Sequence, residues 1–199
     1  QFSAKALTGK QIFSVKRIYF IDPYTWQHVN LPKQKYRMGY LFGPHYANKK
    51  SFYYWHVNYD SPVLLRFVTK EKIDGLTVNH YFADYSTDQT KDLSYLPDVP
   101  EERGVKANIH LQLWIEPISG WLVKYQDNTQ SSYYNIRTGA YIAPWNSFSN
   151  TYTRNSTREQ ASQALMLKWK ILFIDFGVPL FLIITATLLI WPKFSKKEK

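Results

Sequence analysis

The segment Ile171–Trp191, ILFIDFGVPLFLIITATLLIW, constrains this chain more than any other. It is 21 residues long and nearly all apolar, and its one carboxylate is Asp175, with Gly177 and Pro179 close behind. As an α-helix, a segment of that length spans roughly 30 Å, the thickness of a bilayer's hydrocarbon core. A buried helix of a soluble domain is seldom apolar for so long, so a transmembrane span is expected. Trp169 and Trp191 bracket it where interfacial aromatic anchors sit.

Pro179 has no N–H and cannot bond the carbonyl of Asp175 four residues earlier. The carboxylate and the proline are therefore one feature: a freed carbonyl beside a polar side chain, with Gly177 allowing close approach. Asp175 lies about 6 Å into the span at 1.5 Å per residue. That depth allows partial hydration or pairing with Lys168, two turns earlier on the same face. Ionisable groups inside membranes usually face partners rather than lipid. Asp175, Gly177, Pro179 and Lys168 are thus candidate contacts with another membrane helix, preceding this sequence or from another subunit. The plainer alternative is an interfacial carboxylate beside an ordinary proline kink.

Beyond Trp191 the short tail carries Lys193, Lys196, Lys197 and Lys199, which fits the cytoplasmic side. Arg158, Lys168 and Lys170 on the other flank weaken that asymmetry. The sequence opens at Gln1 rather than Met, so a leader or an earlier segment is expected upstream. The expected organisation is an extracytoplasmic β-rich domain (1–155), a juxtamembrane helix (156–170), a transmembrane helix (171–191) and a short basic cytoplasmic tail (192–199). That places the protein in a plasma membrane or cell envelope. The alternative is a tail-anchored protein whose domain lies in the cytoplasm.

The residues ahead of the span suffice for one domain with its own core. Aromatics form 18% of the chain and tyrosine leads with 16, which favours sheets with half-exposed faces. With no cysteine, disulfides, thiolate metal sites and cysteine nucleophiles are excluded. The net charge of +10 is uneven: up to Asn58 nine basic residues face Asp22 alone, whereas Tyr59–Lys170 holds twelve of each sign. The basic region (Lys16, Arg17, Lys33, Lys35, Arg37, Lys49, Lys50) suits lipid headgroups or an anionic envelope surface, or is simply solvated. Beside a membrane, nucleic acid is not an expected partner.

Strand-like runs separated by turns dominate as far as Pro144. FSVKRIYFI, QHV, GYLFG and SFYYWHVNY precede a hairpin, VLLRFVTKEKIDGLTVNHYFADYS, whose Asp74-Gly75 turn is the pair a type I′ turn wants. Asp84–Gly104, the most acidic stretch, is expected to be a long loop. ANIHLQLWIEP, GWLVKYQ and a last hairpin, SSYYNIRTGAYIAP, follow. One device repeats. Ile21–Val29 (IDPYTWQHV) aligns with Ile115–Val123 (IEPISGWLV), and Asn135–Ile142 (NIRTGAYI) is a shorter cousin. Asp22, Pro23, Glu116, Pro117, Gly120 and Gly139 are the turn formers. Ser156 with Glu159 has capping-box spacing, and good helix formers follow, so a helix is expected from about Thr157 straight into the membrane. Asn155-Ser156-Thr157 also fits a glycosylation acceptor. The expected fold is mainly β: an antiparallel, hairpin-rich sheet domain, then a long C-terminal helix that becomes a single transmembrane span.

No constellation with catalytic spacing emerges. His28, His45, His56, His80 and His110 lack the i, i+4 spacing of a helical zinc site. His56 and His80 fall in strand-like runs, where a satisfied half-buried histidine is the default. There is no phosphate-binding glycine loop and no GxSxG elbow. Carboxylates cluster at turns rather than as a glycosidase pair. Lys49 and Lys50 beside SFYYW read as sheet packing more readily than as a single-strand nucleic-acid platform. Neither enzymatic activity nor a cofactor is expected.

With those pieces assembled, the chain resembles the PorA-like family, a group of prokaryotic envelope proteins. The matching segments are RIYFIDPYTWQHV, GYLFGPHYANKKSFYYWHVNYDSPVLLRFVTKEKIDGLTVNHYF, LQLWIEPISGWLVKYQD and the membrane segment, covering about Arg17–Trp191. The resemblance implies a membrane helix ahead of the domain. None is present here, so residue 1 is expected to lie inside a longer protein. The family name implies channel activity, which one apolar helix cannot supply alone, and a barrel needs many lipid-facing strands of about ten residues. The expected role is a structural or interaction protein, an accessory subunit of a membrane assembly. Alternatives are a carrier of lipid or another apolar ligand on a curved sheet, and an oligomeric channel. LWIEPISGWLVK is similar to the strand–turn–strand of lipoprotein carriers, a fold-level analogy only.

Overall fold

The computed structural model describes residues 2–5, 11–15, 17–32, 36–93, 100 and 102–195. Six strands follow one another as an antiparallel meander: β3 (Phe52–His56), β4 (Ser61–Ile73), β5 (Leu76–Asp88), β6 (Arg103–Ile115), β7 (Leu122–Asn135) and β8 (Tyr141–Thr151). β1 (Phe2–Lys5) and β2 (Gln11–Val15) form a separate hairpin, and α1 (Thr90–Leu93) lies between β5 and β6. One long apolar C-terminal helix follows, so the fold is the mainly β architecture read from the sequence.

Alternation decides which face is packed. On β6, Val105, Ala107, Ile109, Leu111, Leu113 and Ile115 are at most 1% exposed, while Lys106, Asn108 and His110 face solvent. Val63 and Leu65 of β4, Tyr81 and Ala83 of β5 and Tyr125 of β7 join the packed face. Each fully buried Leu or Ile contributes roughly 1.5–3 kcal/mol. The outer face is covered at one end. Parity places Leu76, Val78 and Trp114 there, and a bulge between Trp114 and Ile115 leaves Val123 without a direct partner on β6. All four pack with Ala161 and Ala164 of the C-terminal helix.

The β4–β5 hairpin forms as expected: Ile73 pairs with Leu76, and Asp74 and Gly75 take φ of 47° and 81°. Three expectations change. The stretch Asp84–Gly104 is not all loop, because β5 runs to Asp88 and β6 starts at Arg103. Asp84, Ser86 and Asp88 occupy the wet side of β5, where a strand tolerates acids; residues 94–99 and 101 lie outside the described residues. In the first third, RIYFIDPYTWQHV and GYLFG hold isolated bridges (Ile21–His28, Gln27–Tyr40, Tyr40–Tyr54) in place of strands. Positive φ at Trp26, Gly39 and Tyr46 breaks extended runs there. Finally, α2 (Arg154–Leu172) starts earlier than Thr157, with Thr153 as its cap: the Thr153 hydroxyl accepts from the Ser156 N–H at 3.1 Å.

α2 passes through a π-helical turn (Phe173–Gly177) into α3 (Val178–Ser195). The Val178 N–H bonds the Phe173 carbonyl, five residues back. Pro179 cannot reach Asp175, and the ladder widens by one residue just before it, a known remedy for an interrupted helix. Arg154–Leu189 holds an 18-residue window of mean hydropathy 2.3, none of it buried, so this helix is long and apolar enough to cross a membrane.

Candidate functional site

Three of the side chains singled out in the sequence, Glu116, Lys168 and Asp175, make contacts where the sheet domain meets the span. The C-terminal helix presents one stripe to the domain: Gln160, Ala161, Ala164 and Lys168 of α2 and, within the π turn, Asp175. Each has a partner. Gln160 Oε1 accepts from Trp121 Nε1 at 2.9 Å. Ala161 and Ala164 enter the outer-face cluster, where their small size allows close approach. Lys168 Nζ lies 3.8 Å from Glu116 Oε1. Asp175 Oδ2 accepts from the Tyr46 hydroxyl at 2.5 Å. Lys168 therefore pairs with Glu116 rather than with Asp175. Gly177 faces its own turn: a side chain there would meet the Phe173 ring at 2.9 Å. Trp169 is exposed, as an interfacial anchor would be, and the Trp191 side chain lies outside the described residues.

Glu116 is wholly buried, and its Oε2 takes three bonds, from the N–H groups of Ile118 and Ser119 and the Ser119 hydroxyl. Oε1 has no hydrogen bond and faces the Lys168 ammonium. A buried carboxylate needs both: charge-assisted donors and a counter-ion. The loop that carries Tyr46 is clasped to the same turn, since Gly43 N–H donates to the Gly120 carbonyl at 2.8 Å and Tyr46 N–H to Ile118 at 3.1 Å. The hydrogen bond to Asp175 holds the Tyr46 phenol up, at about 12.

The repeated turn device has one geometry in all three copies. The leading side chain accepts from the N–H groups two and three residues on: Asp22 from Tyr24 and Thr25, Glu116 from Ile118 and Ser119, Asn135 from Arg137 and Thr138. Its carbonyl accepts from the fifth residue, at 2.9, 2.9 and 2.8 Å. That fifth residue is left-handed each time: Trp26 (φ 61°), Gly120 (φ 68°) and Gly139 (φ 71°). A tryptophan there is strained. Trp26 is held by its indole N–H on the Ser119 carbonyl at 2.9 Å and by contacts with Phe42, His45 and Trp121. Two copies thus dock on each other beside α2. Pro23 and Pro117 follow the leading acids.

A second polar cluster, not anticipated from the sequence, lies in the sheet. His56 and Asp127 are both fully buried. His56 Nε2 lies 3.2 Å from Asp127 Oδ2 and 2.8 Å from the Tyr125 hydroxyl, and Nδ1 meets the Tyr85 hydroxyl. Asn58 and Thr129 donate to Asp127, and Tyr59 bonds Thr129. Burial alone would raise the Asp127 carboxyl, but the bonds and charge of His56, Thr129 and Asn58 outweigh it and hold it low. Every group is satisfied internally. On the outer face His80 stacks on Trp114 with centroids 4.4 Å apart, and Lys124 sits 4.1 Å over the same ring. Among the described residues no three metal-ligating side chains gather.

The basic region is not one free face. Arg17 donates to the Val57 carbonyl, and Arg37 pairs with Asp60 while lying over Tyr19. Lys49 and Lys50 are exposed beside Tyr46, and Lys16, Lys33 and Lys35 lie outside the described residues.

A family model described as Porin PorA matches residues 27–191, from the last three residues of the first turn device through the whole six-stranded sheet, α2 and the span. The chain belongs to the PorA family. No match was found among curated proteins. In this PorA member the six-stranded sheet is open, with β3 and β8 as its edges among the described strands.

Proposed function

We propose that this PorA-family chain is a non-enzymatic, membrane-anchored structural or interaction protein of a prokaryotic cell envelope, an accessory subunit of a membrane assembly. The observation that carries this reading is the continuous stripe from Gln160 to Asp175. A helix fixed to its domain at four successive levels, and then bare where it enters lipid, suits a part whose job is to hold a surface at a set height and angle. The lysines beyond the span support an extracytoplasmic domain. The buried, fully satisfied His56–Asp127 cluster offers no reactive group to a substrate, which supports a non-enzymatic role. The packed inner face argues against the lipid carrier, which needs room between its side chains.

The family's description favours a second reading, a channel built from several copies. Conductance in planar bilayers tests it. The accessory-subunit reading is tested by purification from the native membrane in gentle detergent with mass spectrometry of what accompanies the chain. A stoichiometric membrane protein is the expected result; a solitary protein carrying lipid would overturn it.

A further inference from the structure

An open groove of about 660 Å³ runs between the β4–β5 hairpin and the first turns of α2. Asp74, Gly75 and Leu76 line one wall; Arg154, Arg158, Ala161, Ser162 and Leu165 line the other. Its floor is apolar, with Leu76 and Ala161 7% and 6% exposed. Arg154 and Arg158 stand one helical turn apart and both are exposed. Among the described residues neither is in an ion pair, not even with Asp74 across the groove. Two free guanidinium groups over an apolar floor select a ligand with carboxylates next to apolar side chains, because the planar fork binds carboxylates bidentately.

Lipid does not fit. Arg158 lies thirteen residues before Ile171, about 20 Å along the helix axis, whereas a headgroup layer is roughly 5–8 Å thick. We propose that this groove docks an acidic, apolar-flanked peptide segment of a partner subunit. The proposal rests on the accessory-subunit reading and names the kind of surface such a partner presents.

The test uses the full chain in nanodiscs of uncharged lipid, titrated with a labelled ten-residue peptide of alternating glutamate and leucine. Saturable binding is expected, weakened roughly tenfold or more in Arg154→Ala/Arg158→Ala, as loss of charge-assisted bonds implies. Arg137→Ala, an exposed arginine on the β7–β8 turn, should leave it unchanged, and circular dichroism should show all variants equally helical. No binding, or an equal loss in Arg137→Ala, overturns the proposal. So does saturation of the two arginines by inorganic phosphate or by anionic-lipid nanodiscs in place of the peptide. The same double variant, purified from native membranes, separates the two claims. A partner retained by it would remove the groove and leave the subunit reading. A wild-type chain that binds the peptide but has no partner would remove the subunit reading and leave the groove.

Discussion

The Tyr46 hydroxyl donates to Asp175 Oδ2 at 2.5 Å, joining residues 129 apart in the chain across the boundary between sheet domain and span. The one carboxylate of the apolar segment is thus answered by the domain itself. Tyr46→Phe removes the donor and leaves the ring. Because Tyr46 is exposed, the expected loss is about 1 kcal/mol, below the usual range for a hydrogen bond to a charged group. The check is hydrogen exchange: amides at 43–50 and 173–177 should exchange faster, while β6 and β7 stay protected. Unchanged exchange at both segments would show that the bond holds nothing in place.

Ala161 and Ala164 let α2 lie close to Leu76, Val78, Trp114 and Val123. Ala164→Leu overfills a position with no exposure and should cost about 1–3 kcal/mol. Met166→Leu, on the exposed side of the same helix, should be nearly neutral. Chemical denaturation midpoints of the two variants test the assignment of faces.

Removing the Lys168 charge leaves Glu116 buried with one oxygen unanswered. Lys168→Met should destabilise by about 1–3 kcal/mol, below the usual range for breaking a buried pair because Lys168 keeps some solvent contact. Adding Glu116→Gln to it should recover part of the loss, because the amide carries no charge to strand. A double-mutant cycle in thermal unfolding measures both.

Gly75 and Gly120 share a left-handed φ but differ in surroundings. A Cβ on Gly75 meets nothing within 4 Å; on Gly120 it collides with the Gly43 and Pro44 carbonyls. Gly75→Ala should cost about 1 kcal/mol from backbone conformation alone, and Gly120→Ala more than about 2 kcal/mol. Equal midpoints for the two would contradict the docking of the 43–46 loop on the 116–120 turn.

Stability should fall at both ends of the pH scale. Burial, first of all, lifts Tyr59 from 10.0 to about 12, and burial lifts Tyr85 and Tyr125 as well. As pH rises from 10 towards 12, an unfolded chain gives up phenolic protons that the folded one keeps, so stability drops across that window. Asp127 is held below 3.8. As pH falls through 3.8 the unfolded chain binds a proton first, so stability drops again down to the folded pKa. Urea midpoints across pH check this, and Tyr59→Phe should make the alkaline limb shallower.

How much of this was legible in the sequence follows from the range of each interaction. The span, the Asp74-Gly75 hairpin and the three turn devices are local, written in residues no more than about five apart, or in a continuous apolar run. The coupling of Asp175 with Pro179 was legible for the same reason. Tyr46 was not, because nothing near it in sequence marks it as a partner for residue 175. His56 and Asp127 were missed likewise, since 71 residues separate them and each looks like an ordinary strand residue. Asp84–Asp88 misled because acids on the wet side of a strand look like loop acids when the other side is not considered. The first third misled because its aromatics alternate like strands while positive-φ residues fold them into loops that pack on the sheet.

The contacts from Gln160 to Asp175 make the sheet domain and the span move as one body. The chain has no cysteine, so spin labels on Gln130→Cys in β7 and Phe181→Cys in α3 would be its only two. Pulsed electron resonance in nanodiscs would read the distance between them. A single narrow distribution is expected, broadened by Tyr46→Phe combined with Lys168→Met. A broad distribution in the unaltered domain junction would contradict it.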